Sequence, residues 1–314
     1  MSVSHSNEES ENHSLTAIRK ANMGTHLSRR DPDKELAEEW RKTDWSKQNR
    51  DNMVETLRNF NLNDPNMGQI RCLLLGPVGA GKSSFIKSVN NVFQGRTSHS
   101  ALAGSAKKSN TKTYNTHYIQ NGTNRLPFAF NDVMGLETQN GCGIHPDDLI
   151  SALKGHIPEG YKFNPVTPFT DVNPDYNQEP NIQDKVQCLV NVISLNEISV
   201  MTKEVINKLE MIQEIANELG IPQVVVMTMP DKACQLVKTD VKNMYTSIAI
   251  QNNMQKCSNE LGVSMDCILP VKNYHEENEL NNDMDILILN AITQIVNYAN
   301  DYVWMLQQKK SSYQ

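Results

Sequence analysis

Residues 73–89, "LLLGPVGAGKSSFIKSV", decide the reading of this chain. A leucine run feeds Gly76-Pro77-Val78-Gly79-Ala80-Gly81-Lys82-Ser83, which satisfies GxxxxGK[ST] without a mismatch. Each residue type has a task. Glycines let the backbone turn its N–H groups inward and approach phosphates closely. Lys82 supplies a point charge for the β- and γ-phosphates, and the Ser83 hydroxyl is a ligand for Mg²⁺. Ser84 and the apolar Phe85, Ile86 and Val89 continue as a helix whose positive dipole end faces the loop. The flanks are those of a phosphate loop between a buried strand and a helix, and the phosphates belong to a nucleotide.

Downstream stretches indicate which nucleotide. The run "LPFAFND" (126–132) ends in Asp132, and Gly135 follows three residues later. An acid at a strand end reaches the metal through water, and DxxG is the switch II pattern of GTPases, in which the glycine N–H senses a γ-phosphate. The run "VVVMTMPDK" holds Thr228-Met229-Pro230-Asp231, close to [NT]KxD. The Asp231 carboxylate is suited to accept both the N1–H and the exocyclic amine of guanine, a pairing adenine does not offer. Met229 stands where a lysine is usual, so packing over the base replaces a charged stem. After the last strand, Val271 and Lys272 of "LPVKNY" occupy the place of a base-covering loop.

Chemistry at the γ-phosphate is less provided for. The residue after DxxG, a water-orienting Gln in Ras-type enzymes, is Leu136, followed by Glu137. The expected turnover is slow or activator-dependent, no residue is assigned as catalytic, and a weak GTPase activity stays open. A metal-binding Thr is expected from "KSNTKTYN", with Thr111 first and Thr113 close behind. A P-loop kinase of small metabolites commonly clamps the transferred phosphoryl group with several arginines. No arginine follows Arg125, which argues against that class and against an ATPase with a C-terminal arginine finger.

Composition sets outer bounds. With 30 Lys and Arg against 36 Asp and Glu, the net charge is −6, and no basic stripe for nucleic acid is present. No stretch approaches the roughly 20 apolar residues of a membrane span. The start lacks the apolar core of a signal peptide, and the six cysteines are scattered without a CxxC pair. A cytoplasmic location is expected.

Strand-like runs at 70–76, 112–120, 126–132, 186–194, 223–228 and 264–271 alternate with helical patterns such as 203–219 and 283–306. That order predicts an α/β fold, a P-loop GTPase-like three-layer sandwich with a mostly parallel sheet. The expected organisation is a disordered polar tail (1–36), a Trp-containing arm or linker (37–66) and a G domain (67–306), followed by a short tail (307–314). Within the G domain, a Pro-rich insertion (157–185) breaks the rhythm, as either a functional or a mobile loop.

The chain resembles the interferon-induced protein 44 family. The resemblance is carried by "EEWRKTDW", "LLLGPVGAGKSSFIKSV", "NDVMGLE", "LISALKGHIPEGYKFNP", "IPQVVVMTMPD" and "LPVKNY", spanning about residues 38–275. It implies a cytoplasmic guanine-nucleotide-binding protein induced by interferon and acting in antiviral or antiproliferative responses. Its phosphate loop would be Gly76–Ser84, its DxxG Asp132–Gly135 and its [NT]KxD-like stretch Thr228–Asp231. Some family members carry a further N-terminal domain, for which the short polar start leaves no room.

Two functions follow from the residues. The first is a GTP- and Mg²⁺-dependent switch whose γ-phosphate orders residues 96–113 and 133–150 for an unknown protein partner. The second is a scaffold that keeps the P-loop fold as architecture and works through 157–185 and the Trp40/Trp45 arm. Self-association is compatible with this fold, although no residue argues for it.

Overall fold

The structure is a computed structural model that describes residues 34–97, 112–138 and 142–312. Six strands form one sheet: β1 (Ile70–Leu75), β2 (Asn115–Asn121), β3 (Asn124–Asp132), β4 (Cys188–Ser194), β5 (Gln223–Thr228) and β6 (Ile268–Pro270). Their order is β2-β3-β1-β4-β5-β6. Every pairing is parallel except the β2–β3 hairpin, which turns at Gly122 with φ 63°.

The apolar strands alternate between two buried faces, as a two-sided sheet requires. Leu73 and Leu75 face the helices Pro146–Lys154, Lys203–Glu218 and Ile248–Leu261. Cys72 and Leu74 face the helices Lys47–Arg58, Lys82–Gln94 and Asn282–Ser312. The result is the three-layer α/β sandwich expected from the sequence. The chain leaves β1 toward β3 on one side and later returns to β4 on the other. A crevice therefore opens at the C-terminal end of β1, the usual place for a ligand in an open α/β sheet.

Some boundaries fall differently from the sequence reading. Lys34–Leu36, placed in the tail, are held by a β-bridge between Glu35 and Ser247 and by the Leu36 N–H on Thr246 O at 2.8 Å. The last helix runs to Ser312, because "LQQKKSS" contains neither the Gly nor the Pro that would stop it. The final strand is shorter than expected, since Met265–Cys267 form a 3₁₀ turn before β6. The expectation for residues 1–33 lies outside the described residues.

The arm crosses the Ile248–Leu261 side of the sheet. Trp40 meets Tyr245 edge-on at 5.2 Å, and the Arg41 guanidinium lies 5.6 Å from the Tyr245 ring centre. The Arg41 guanidinium also donates to Ile268 O at 3.0 Å and Met265 O at 2.7 Å, so cation–π contact and hydrogen bonds act together. The Pro-rich insertion forms no helix or strand of its own, yet it is packed. Phe163 and Phe169 are buried, the Tyr161 ring lies tilted against Phe169 at 4.5 Å, and His156 stacks on Tyr176 at 4.7 Å. The Phe169 N–H donates to Asp148 Oδ1 at 2.7 Å, and burial pushes the Asp148 carboxyl up despite that bond.

Candidate functional site

The phosphate loop sits at the crevice. Gly76 leaves β1 at φ 154° with its α-carbon against β4, where a Cβ would lie 2.0 Å from Val192 O. Gly79 (φ 85°) and Gly81 (φ 93°) take left-handed conformations that let the loop curl. No atom lies within 4 Å of a Cβ built on Gly79. Space on that side of the loop is open. Gly81 is the N-cap of Lys82–Gln94 and offers no capping side chain, so the first N–H groups of this 13-residue helix stay directed at the crevice.

Lys82 is 7% exposed and folds back, donating from Nζ to Gly76 O at 2.9 Å and Pro77 O at 3.1 Å. Burial pulls its ammonium down to about 8, against the opposing pull of the Asp132 carboxylate. Ser83 Oγ donates to Asp132 Oδ2 at 2.6 Å. The last residue of β3 and the second of the helix thereby bring two hard oxygen donors together, the set Mg²⁺ prefers. Among the described residues no three His, Cys, Asp or Glu side chains cluster as a metal site. A Mg²⁺ ion held by Ser83, with Asp132 reached through water, would draw its other ligands from nucleotide and water.

The side expected to receive a base is built from β5 and β6. Thr228 is fully buried, and its hydroxyl donates to Ala80 O of the loop at 2.6 Å. The next residue, Met229, turns the chain at φ 56°, the one non-glycine positive φ among the described residues. Such strain costs on the order of 1–3 kcal/mol and concentrates at functional sites. Pro230 then opens a short helix, Pro230–Ala233. Met229 Sδ lies 3.6 Å from Ser194 Oγ and 3.5 Å from Lys232 Nζ.

Asp231, Lys232, Lys238, Lys272, Asn273 and Glu277 line a cleft of about 680 Å³, within the range of small-molecule sites. Val271 is buried beneath it, with its N–H on Met227 O at 2.8 Å. Lys272 is ion-paired to Glu277. Burial alone would raise the Glu277 carboxyl, but the His275 N–H and the Lys272 ammonium outweigh it and hold it at about 2.

Two supports were not foreseen from sequence. Asn273 Nδ2 donates to Gly81 O at 3.2 Å, a second tie between base side and phosphate loop. Behind it, the Tyr274 hydroxyl donates to Asp285 Oδ1 at 2.7 Å, and Arg50 Nη2 donates to Asp285 Oδ2 at 2.9 Å. The only signal was "KNY" after an apolar run, which carries no pairing information.

The expected residues therefore gather on one edge of the sheet: Gly76–Ser84 and Asp132 at the crevice, with Thr228, Asp231, Val271 and Lys272 beside it. Gly135 packs on the loop itself, where its Cβ would lie 2.6 Å from Val78 Cγ2. Thr111 lies outside the described residues, and Thr113 pairs with Lys162 of the insertion. Glu137 O, next to DxxG, accepts Lys208 Nζ at 2.7 Å, a contact no sequence pattern signalled.

Fold and site together define a protein of the P-loop α/β class. The resemblance to the interferon-induced protein 44 family is upheld by direct comparison. The chain is 32% identical over 254 residues to "Interferon-induced protein 44" of Mus musculus, covering 80% of this chain and 60% of that protein. It is 31% identical over 260 residues to "Interferon-induced protein 44-like" of Homo sapiens, covering 82% and 58%. The chain thus spans less than two thirds of the length of the curated relatives it matches. No protein-family model matches it. Among solved structures, it is similar to a probable GTP-binding protein engB (TM-score 0.42, 11% identity), covering 74% of this chain and 99% of that one. It is also similar to the apo translation elongation factor SelB of Methanococcus maripaludis (TM-score 0.35, 10% identity), covering 76% and 34%.

Proposed function

We propose that the chain binds guanine nucleotide with Mg²⁺ and acts as a nucleotide-dependent switch with slow or activator-dependent hydrolysis, in an interferon-induced, antiviral setting. The observation that carries this reading is the double tie of the phosphate loop to the base side, Thr228 to Ala80 O and Asn273 to Gly81 O. A phosphate cradle alone serves many nucleotides. A cradle held against a cleft that presents the Asp231 carboxylate is organised for a phosphate and a base at once.

In this reading the backbone N–H groups of Gly79–Ser83 and Lys82 bind the phosphates. Ser83 would hold Mg²⁺ directly and Asp132 through water, and the metal would supply charge neutralisation at the phosphates. Asp231 accepts from the guanine N1–H and amine, and the Lys272 and Val271 segment covers the base. Leu136 is 3% exposed and has no polar side chain, so the residue directly after DxxG does not itself orient a water. The relatives named interferon-induced support the cellular setting, and a cytoplasmic location fits a chain in which no described helix is long and apolar enough to cross a membrane.

The test is affinity for GDP, ADP and xanthosine diphosphate, each with Mg²⁺. A clear preference for GDP, with binding lost in Lys82→Ala, supports the reading. Equal binding of all three would contradict it.

A further inference from the structure

The DxxG segment is zipped to the phosphate loop. The Leu136 N–H donates to Gly76 O at 3.0 Å, and the Val78 N–H donates to Leu136 O at 3.2 Å, a parallel bridge centred on Pro77 and Leu136. Within the sheet Leu74 faces Asp132, so an unbroken register would bring Pro77 opposite Gly135. Pairing with Leu136 instead takes up one residue and presses Gly135 onto the loop. A Cβ there would lie 2.8 Å from both the N and Cα of Val78.

The other side is closed as well. Lys208 Nζ from the helix Lys203–Glu218 holds Glu137 O at 2.7 Å. A Cβ on Gly143 would lie 2.6 Å from Gly135 O and 3.0 Å from Glu137 N. Leu136 is thus fixed by the loop, by a helix and by the 142–143 turn.

This arrangement bears on the number of phosphates and rests on the nucleotide reading above. The β-phosphate belongs to the curl of Gly79–Ser83 and the helix start. On that reading a γ-phosphate would lie farther out, toward the DxxG glycine. There, Gly135 now touches Val78, and Leu136 occupies the N–H of Val78 and the carbonyl of Gly76.

We propose that the site, in this conformation, takes a nucleoside diphosphate, and that a triphosphate enters only by unzipping Leu136 from Gly76 and Val78. Val78 and Leu136 are then the residues that set diphosphate over triphosphate, and Lys208 holds the closed form. An open form populated at about 0.1–10% lowers the apparent triphosphate affinity by about 10- to 1,000-fold, because affinity scales with the competent fraction.

The experiment titrates the full chain with GDP and a non-hydrolysable GTP analogue, each with Mg²⁺, and follows hydrogen exchange at the Leu136 amide. The account expects GDP to bind at least about tenfold tighter. The Leu136 amide should be protected in the free and GDP-bound protein and lose protection with the analogue. Val78→Gly, which removes the side chain against Gly135, should bring the analogue to within about threefold of GDP. Lys208→Met, which leaves the phosphate loop intact, should move the ratio the same way. An analogue that binds wild type as tightly as GDP, or leaves the Leu136 amide protected when bound, overturns the proposal. Failure of both nucleotides to bind is a separate pattern, which overturns the nucleotide reading and this proposal with it.

Discussion

Thr228 at the end of β5 donates its hydroxyl to Ala80 O of the phosphate loop at 2.6 Å, across 148 residues of sequence. A hydroxyl has one hydrogen, and here it is spent on the loop. Thr228 therefore acts as a strut between the phosphate loop and β5, and in the proposed function reading of the base falls to Asp231. Buried hydrogen bonds of this kind contribute about 1 kcal/mol net, but leaving the Ala80 carbonyl unpaired costs more. Thr228→Val should destabilise the protein by about 1–3 kcal/mol in urea unfolding and weaken guanine and adenine nucleotides alike.

Asp231 should behave differently. Asp231→Asn exchanges a double acceptor for an amide with one donor and one acceptor, which suits xanthine, whose 2-oxo group replaces the guanine amine. GDP affinity should fall by about two orders of magnitude or more, as when a polar site loses its matched partner. Xanthosine diphosphate should bind better than GDP, and stability should be unchanged. Calorimetric titration of both nucleotides against the variant checks this. An unaltered GDP affinity would remove Asp231 from the site.

Two glycines of the loop separate folding from binding. At Gly76 a Cβ would meet Val192 O at 2.0 Å, so Gly76→Ala must push two strands apart and should cost about 4 kcal/mol or more. At Gly79 only the left-handed φ opposes a side chain, and Gly79→Ala should cost about 1–2 kcal/mol while placing a methyl in the phosphate concavity. Urea midpoints should rank Gly76→Ala far below Gly79→Ala, while nucleotide titration of Gly79→Ala should show strong loss.

Lys82 couples the site to pH. Its ammonium has a pKa of about 8 in the folded protein because burial disfavours the charge, against 10.5 as the ordinary lysine value. Below pH 8 the folded protein carries the cost of the buried charge in full. As pH rises from 8 to 10.5 the folded state loses that proton first, and the cost is relieved. Comparing wild type with Lys82→Met cancels the other titrations. The stability of the wild type relative to the variant should rise by on the order of 2 kcal/mol between pH 7 and pH 9.5. Urea unfolding at the two pH values measures it, and a constant difference would contradict the burial argument.

Behind the base cleft, the Arg50–Asp285–Tyr274 chain holds the segment that follows β6. Asp285 is 1% exposed, so Arg50→Ala strands a buried carboxylate and should cost about 2–4 kcal/mol. Burial already raises the Asp285 carboxyl, and Arg50 is one of the groups pulling it back. An Arg50→Ala, Asp285→Leu double variant should recover part of the loss, because no uncompensated charge remains.

Much of the fold was legible in the sequence because its strands are short apolar runs bounded by turn residues. The phosphate loop was legible because one spacing carries a whole cradle. Asp132 ends β3, and Asp231 follows β5 within the short helix Pro230–Ala233, where local context points. What stayed hidden depends on distant partners. Nothing near Asn273 indicates Gly81, nothing near Lys208 indicates Glu137, and Arg50 meets Asp285 across 235 residues. The insertion was opaque for another reason. Its order comes from Tyr161, Phe163, Phe169 and Tyr176 packing without helical or strand period, which periodicity does not register.

The most direct test of the central claim is a calorimetric titration of the purified chain with GDP, a non-hydrolysable GTP analogue and an ATP analogue, each with Mg²⁺. Lys82→Ala serves as the control. The account predicts guanine-nucleotide binding that is clearly stronger than ATP-analogue binding and is lost in the variant. Binding that is absent, or equal for guanine and adenine nucleotides, would contradict it and leave the phosphate loop as architecture.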